Sequence, residues 1–146
     1  ENIGPRKLVD PQFMQVILAY QDVAPEEFPI WEEGEPDWRL VCPRAWKNLW
    51  VHYEFCDWGK TIGVEIHLED TPVKPLQDLL HSFKEDWTGK YPEWEIVWDP
   101  DWEDCGRVGI LFPKKTDPAV IAETMREIIE ETSAEIQKQI DLLPLE

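Results

Sequence analysis

The sequence is poor in basic residues. It holds 14 lysines and arginines against 31 aspartates and glutamates, which gives a formal net charge of −17. A charge of this sign repels phosphate backbones and anionic lipids, so it argues against direct binding of nucleic acid or of a membrane surface. The natural complement of this charge is a basic surface. We therefore expect a protein partner with such a surface.

Signatures of the common enzyme classes are also absent. The sequence contains no glycine-rich phosphate loop, no Gly-x-Ser-x-Gly elbow and no His-Glu-x-x-His motif. Its two serines, Ser82 and Ser133, both fall within helical patterns, which argues against a serine nucleophile. Pairs of carboxylates are frequent, but a chain with 31 acids produces them by chance. The sequence therefore predicts a non-catalytic protein that uses no cofactor.

Cysteines are few and lack the paired spacing of metal or redox motifs. Cys42, Cys56 and Cys105 are odd in number, which favours reduced thiols over a secreted disulfide framework. No run reaches the roughly 18 apolar residues of a membrane helix, and no signal peptide opens the sequence. These features predict a cytoplasmic protein.

What the sequence has is enough apolar surface for a core. Hydrophobic residues make up 42% of the 146 residues, and nine of them are tryptophans. A chain of this size and aromatic content can bury enough surface to offset the entropy lost on folding. We expect one globular domain spanning residues 1–146.

The clearest local pattern is a β-hairpin in residues 50–68. Two runs alternate apolar and polar residues on either side of Asp57-Trp58-Gly59-Lys60, which is typical of two strands and a tight turn. With Trp58-Gly59 as the turn, Tyr53 lies opposite Val64 and His52 lies opposite Glu65. One face is then apolar throughout, and we expect the polar face to be open to solvent.

Helices and further strands surround this hairpin. Proline follows a capping residue at Asp10-Pro11, Thr71-Pro72 and Asp117-Pro118, and each pair precedes apolar residues at helical spacing. We expect helices over 11–22, from 71 to 89 and from 117 to about 142. Strands are expected at 94–98 and 107–112, with a short edge strand at 39–42.

A shift of 46 residues aligns the hairpin and its following helix with the second strand pair and the last helix. Gly63 then aligns with Gly109 and Pro72 with Pro118. The sequence therefore predicts an α+β fold in which two ββα units, 46–91 and 92–143, form a four-stranded, mainly antiparallel sheet. Helices are expected on one face, with an extra N-terminal helix in residues 1–45.

Two acidic segments contain aromatic residues. Segment 24–37 has three prolines, six acids and no base, and loop 99–106 is acidic as well. Apolar anchors among acids are typical of a segment that docks on a basic groove. The alternative is that the aromatic side chains pack over the domain's own core. The candidate partner-binding residues are Phe28, Trp31, Glu32, Glu33, Asp37, Trp38, Asp101, Trp102, Glu103 and Asp104.

One group of residues has the chemistry of metal ligands. His52, Glu54, Glu65 and His67 share the polar face of the hairpin, where cross-strand neighbours are close enough to bind one divalent cation. The alternative is that they are ordinary polar residues and ion pairs of a solvated sheet face. We prefer that alternative and assign no metal, so these four residues remain candidates only.

From Trp50 to Leu68, through a helix, the Trp94-Glu95 strand, a second strand and a long terminal helix, the sequence resembles a known type of domain. This is an uncharacterised accessory domain that follows restriction-endonuclease-like PD-(D/E)xK modules in bacterial defence proteins. The resemblance covers residues 46–140 and rests on element order and aromatic positions. It implies a link to a defence or nuclease system and no catalytic residues in this part. The acidity departs from what a domain that helps a nuclease hold DNA would need.

Three functional hypotheses follow. The first is a non-catalytic, acidic protein-interaction domain of bacterial or phage origin. The second is an inhibitor that mimics DNA, of the anti-restriction or anti-CRISPR type, or a toxin-immunity protein. The third is a metal-binding enzyme that uses the face of His52, Glu65 and His67.

Overall fold

The computed structural model describes residues 8–32, 35–46, 50–70 and 72–143. Within these ranges the protein has an α+β fold. The helices are α1 (Pro11–Val23), α2 (Lys74–Lys90) and α3 (Pro118–Asp141). The strands are β1 (Trp38–Val41), β2 (Val51–Asp57), β3 (Thr61–Leu68), β4 (Glu95–Asp99) and β5 (Gly106–Pro113). No helix in the described ranges has the length and apolar character needed to cross a bilayer.

The strands form one antiparallel sheet in the order β1-β2-β3-β5-β4. The predicted fold class and antiparallel sheet are confirmed, but the predicted number of four strands is wrong. The fifth strand is β1, which pairs with β2 from Trp38 opposite Cys56 to Val41 opposite Tyr53. Pro43 follows shortly after β1, and a proline cannot donate to a strand ladder, so this edge strand stays short.

Two helices begin as the sequence predicts. The carboxylate of Asp10 accepts hydrogen bonds from the backbone amides of Gln12 and Phe13, and Asp117 accepts one from Ala119. Helix α2 begins at Lys74 after Val73, whose side chain makes no capping hydrogen bond. The predicted cap for α2, Thr71, lies outside the described residues.

The hairpin has the predicted faces but a different register. Tyr53 lies opposite Ile66 and His52 opposite His67, so the predicted pairs of Tyr53 with Val64 and His52 with Glu65 are wrong by two residues. The cause is the turn: Trp58 pairs with Thr61 through a backbone hydrogen bond, which leaves Gly59 and Lys60 at its tip. Gly59 has the positive φ of 94° that this turn requires. A two-residue displacement keeps every side chain on its predicted face, because strands have a period of two.

The apolar face of the sheet carries the core. All its hairpin side chains are buried, namely Val51, Tyr53, Phe55, Ile62, Val64, Ile66 and Leu68. The Tyr20 ring of α1 meets the Phe55 ring edge-on at 5.4 Å. The Tyr53 hydroxyl lies 2.7 Å from the Thr132 hydroxyl of α3, and the rings of His81 in α2 and Trp98 in β4 are 5.3 Å apart. These contacts join each helix to the sheet.

Strands β3 and β5 pair with an approximate two-fold symmetry. Val64 lies opposite Ile110, its equivalent under the 46-residue shift, while Ile62 lies opposite Phe112 and Ile66 opposite Val108. Equivalent residues therefore exchange places across a local axis, as they do in an isologous contact between two subunits. The two strand pairs adjoin in the centre of the sheet through this contact.

Candidate functional site

The polar face of the hairpin is buried, contrary to the prediction of an open, solvated surface. His52 and Glu54 are each 7% exposed, His67 is 1% exposed and Glu65 is fully buried. Part of their cover comes from Trp58 in the hairpin turn and Trp102 in the loop between β4 and β5, whose rings meet edge-on at 6.1 Å. Trp58 contacts Glu65 and Trp102 contacts His67, while the rest of this face lines a cavity.

Two glycines make room for Glu65. A Cβ atom added at Gly63 would lie 1.9 Å from Glu65 Oε2, and one added at Gly109 would lie 2.7 Å from Glu65 Cγ. Gly109 lies directly opposite Glu65 on β5, and Gly63 precedes it on the same face of β3. Since real Cβ atoms do not approach this closely, the Glu65 side chain can lie flat on the sheet only because both positions are glycine.

Glu65 is the centre of a buried network of hydrogen bonds and charges. Its Oε1 accepts hydrogen bonds from Arg107 Nε at 2.5 Å and from His67 Nε2 at 2.7 Å. Its Oε2 accepts from Trp58 Nε1 at 2.6 Å and from Arg107 Nη2 at 3.3 Å. The Arg107 guanidinium lies 4.7 Å from the Trp58 ring centroid and 5.3 Å from that of Trp102. Both aromatic rings therefore lie against the guanidinium of this ion pair.

These contacts fix the protonation of the network. Burial acts to raise the pKa of the Glu65 carboxyl, but hydrogen bonds from His67 and Arg107 outweigh it and lower that pKa to about 2. Burial acts to lower the pKa of His67, but its contacts with Glu65 and Glu69 raise it to about 9. Glu65 is therefore a carboxylate at neutral pH, and when no metal ion is bound His67 is an imidazolium.

A second cluster of histidines and glutamates lies beside this network, near the end of β3. His52 Nε2 lies 2.9 Å from Glu54 Oε1 and 3.4 Å from Glu69 Oε2. His67 Nδ1 lies 3.5 Å from the same Glu54 oxygen and 3.6 Å from the same Glu69 oxygen. Two imidazole nitrogens thus point at two carboxylate oxygens. These four residues could hold a metal ion.

Cys56 orients one of these carboxylates and is not itself a reactive thiol. Its Sγ donates to Glu54 Oε2 at 3.1 Å, which leaves Glu54 Oε1 directed at the two histidines. Burial raises the pKa of the Cys56 thiol well above its usual range, and the charges of Glu65 and Glu54 act in the same direction. A protonated, buried thiol is a poor nucleophile.

The cluster opens into a cavity of about 640 Å³. Three tryptophans and Leu40 supply its apolar walls, and its residues are Asp37, Trp38, Leu40, His52, Glu54, Cys56, Asp57, Trp58, His67, Glu69, Asp70, Trp102 and Glu103. Six of these are acids, and no lysine or arginine from the described part of the chain is among them. Its size is that of a ligand pocket, and its charge suits a cation.

The predicted partner-binding residues have different fates. Asp37, Trp38, Trp102 and Glu103 line the cavity together, although they come from separate segments. Glu32, Asp101 and Asp104 are exposed outside it, and Glu33 lies outside the described residues. Phe28 is buried against Trp46 and Tyr53, and Trp31 is packed against the core with Nε1 donating to the carbonyl of Cys42 at 3.1 Å. Phe28 and Trp31 therefore pack over the domain's own core, which was the alternative to partner binding.

Of the four metal candidates, the structure brings His52, Glu54 and His67 together, whereas Glu65 is held by Arg107. The fourth member of the cluster is Glu69, which sequence reasoning missed. The signal was present, because Glu65, His67 and Glu69 continue one alternation past the strand end. Arg107, which lies 42 residues from Glu65, has no comparable local signal.

Comparison of the chain with protein-family models, with curated proteins and with solved structures gives no match. The chemistry of the site therefore has to be inferred from its geometry. That geometry combines an acidic cavity, three tryptophan walls and two histidines on the floor. Such a cavity favours cationic ligands.

Proposed function

We propose that this protein is a non-catalytic, acidic interaction domain that binds a basic segment of a protein partner by taking a lysine or arginine side chain into its cavity. One observation carries the proposal: the cavity has six acids and three tryptophans, against two histidines and no lysine or arginine from the described residues. From the resemblance of residues 46–140 we propose a cytoplasmic, bacterial or phage setting linked to a defence or nuclease system.

The tryptophan walls suit a cationic side chain. Indole faces attract guanidinium and ammonium groups, with about 0.5–2 kcal/mol per contact. Trp58 and Trp102 already lie against the guanidinium of the chain's own Arg107. Trp38, Asp37, Asp70 and Glu103 line the same cavity. A partner's basic side chain would meet rings and carboxylates of the same kinds.

The DNA-mimic alternative has weaker support. It needs a long, uninterrupted acidic surface, for which the outer face of α3 is the natural candidate. Arg126 on that helix pairs with Glu123 and Glu130, and Lys90 of α2 pairs with Glu131. These cations interrupt the row of negative charges on α3, whereas the cavity brings six acids together.

The test uses a blocked nonapeptide of glycine and serine with three central arginines as probe. We expect titration to change tryptophan fluorescence, and binding to weaken as salt rises. Trp102→Ala should weaken binding about 10-fold, and Glu103→Gln about 2- to 5-fold. Isothermal titration calorimetry gives the affinities.

The matched control is Glu27→Gln, which removes the same charge from an exposed position outside the cavity. It should change the affinity by less than about twofold. Equal losses in Glu27→Gln and Glu103→Gln would mean that net charge alone attracts the peptide. That result, or an absence of binding to the unaltered protein, would contradict the proposal.

A further inference from the structure

Four potential metal ligands converge at the floor of the cavity. They belong to His52 and Glu54 of β2, His67 of β3 and Glu69 immediately after it, and one potential ligand atom of each lies within 4.8 Å of the others. The contacts between them join His52 Nε2 and His67 Nδ1 to Glu54 Oε1 and Glu69 Oε2. The pairing of β2 with β3 sets His52 directly opposite His67. The backbone of the sheet therefore positions three of the four side chains.

Three of the separations between these atoms match those of a coordination shell. A tetrahedral ion with ligands at about 2.0–2.2 Å has ligand-to-ligand distances of about 3.3–3.6 Å. The two distances from His67 Nδ1 are 3.5 and 3.6 Å, and His52 Nε2 lies 3.4 Å from Glu69. These three are longer than ordinary hydrogen bonds, which fall at about 2.7–3.2 Å. Only the contact of His52 with Glu54, at 2.9 Å, has hydrogen-bond length.

An unsatisfied nitrogen gives an independent indication. Nδ1 of His67 is buried and has no hydrogen-bond partner among the described residues, although the side chain is 1% exposed. Burying a polar atom without a partner is costly, and metal coordination would remove that cost. In the metal-free protein this nitrogen carries a proton that faces the two carboxylates, and on metal binding its lone pair would take the place of that proton.

The surrounding residues are arranged as they are around bound metals. The other nitrogen of His67 contacts Glu65 at 2.7 Å, and Glu65 is held in turn by Arg107 and Trp58. A carboxylate behind a histidine fixes its tautomer and strengthens it as a ligand. Cys56 does the equivalent for Glu54 by occupying its second oxygen.

We propose that His52, Glu54, His67 and Glu69 form a binding site for one divalent metal ion of the Zn²⁺ class. Two imidazoles favour zinc and its first-row neighbours over Mg²⁺ and Ca²⁺, which take oxygen ligands. Two carboxylates balance the charge of the ion, and the histidines coordinate as neutral imidazoles, with the His67 proton on Nε2. Glu69, whose side chain is 35% exposed, is the most exposed of the four ligands.

This site is compatible with the cation-binding cavity and does not depend on it. A divalent ion would offset two of the six carboxylate charges that line the cavity. Asp37, Asp70 and Glu103 are not ligands and would keep their charges beside the tryptophans. The metal ion would lie at the floor of the cavity, and the space beside the tryptophan rings would remain available for a basic side chain of a partner.

The experiment titrates the full chain, stripped of metal with a chelator, with Zn²⁺ and separately with Co²⁺. We expect one Zn²⁺ per chain by elemental analysis after desalting. Co²⁺ should give the intense visible absorption of a tetrahedral ion with nitrogen and oxygen ligands. Glu69→Gln should weaken Zn²⁺ binding by at least about 100-fold, because it removes a ligand directly.

The matched control is Glu103→Gln, which makes the same substitution in the same cavity at a residue outside the ligand set. It should keep one ion per chain with an affinity within about threefold of the unaltered protein. Circular dichroism of both variants without metal establishes that each is folded. His52→Gln, at a ligand from the opposite strand, should repeat the loss seen with Glu69→Gln.

Several results would overturn the proposal. These are no retained Zn²⁺ in the unaltered protein, equal losses in Glu69→Gln and Glu103→Gln, or only the weak absorption of octahedral Co²⁺. The peptide titration of the previous section is read on the metal-free protein, so either proposal can fail while the other stands.

Discussion

On one face of the β2–β3 hairpin, Tyr53, Val64 and Ile66 are fully buried against apolar side chains. On the other face, Glu65 and His67 are buried as deeply, but their neighbours are charged groups and aromatic rings. Apolar burial is stabilising without any particular partner. A buried charge is tolerated only when each partner is in place. The apolar face therefore supplies stability, and the polar face supplies a network of charged groups that a single substitution can disrupt.

The largest expected effect is the loss of the partner of Glu65. Arg107→Met should lower the free energy of unfolding by about 3–5 kcal/mol, because it leaves a carboxylate buried without its counter-ion. Urea denaturation followed by tryptophan fluorescence measures this change. On the apolar face, Ile66→Val should cost only about 0.5–1.5 kcal/mol.

The double variant Arg107→Met with Glu65→Gln separates charge from packing. The amide of glutamine removes the charge and keeps one oxygen that can accept from either Trp58 or His67. The double variant should be more stable than Arg107→Met alone. If the double variant and Arg107→Met unfold at the same urea concentration, the unpaired charge is not the cause of the lost stability. The polar face would then not depend on charge pairing in the way proposed.

A medium effect is expected where the polar face depends on glycine. Gly63→Ala should cost about 1–3 kcal/mol, because the new methyl group would displace the Glu65 carboxylate from Arg107. Gly89→Ala is the control: it lies in α2, and an added Cβ meets nothing within 4 Å. That variant should be neutral or stabilising by up to about 1 kcal/mol. Thermal unfolding of both variants checks the difference, and similar losses would refute the close approach.

The smallest effect concerns the cap of α1, a helix that packs on the apolar side. Asp10→Ala should cost about 1 kcal/mol at pH 7 by removing the acceptor for two backbone amides. Although desolvation acts in the opposite direction, those amides and Lys114 lower the pKa of the Asp10 carboxyl. A lowered pKa gives stability that is present above the ordinary value of 3.8 and is lost as the pH falls through the folded value.

The difference in stability between the unaltered protein and Asp10→Ala should therefore narrow from pH 6 to pH 3. Denaturation curves at these two values measure it. A difference that stays constant over this range would show that the charge of Asp10 does not contribute to the cap.

Local patterns in the sequence predicted much of this architecture. Alternation assigned each hairpin side chain to its correct face, and proline after an acid located the starts of α1 and α3. The register could not be fixed in this way, because Trp58-Gly59 and Gly59-Lys60 are both reasonable turns. The short edge strand expected at 39–42 is present as β1, but it was left out of the predicted four-stranded sheet, because four residues carry little pattern to show where they pair.

The burial of the polar face depends on contacts that are distant in sequence. Trp102 and Arg107 lie far from the hairpin in sequence, and it is the pairing of β3 with β5 that brings Arg107 to Glu65. Without that pairing, a row of histidines and glutamates is typical of a solvated strand face. Sequence reasoning therefore identified three of the four clustered residues and assigned them to the wrong environment.

The near-symmetry of β3 and β5 stops at the charged residues. The position that corresponds to Glu65 in the second unit is Leu111, and the position that corresponds to Arg107 in the first unit is Thr61. A domain assembled from two copies of residues 46–91 would therefore set two carboxylates beside the axis with no guanidinium to separate them. The two halves are therefore not interchangeable, and within the described residues the Glu65–Arg107 pair occurs in one place.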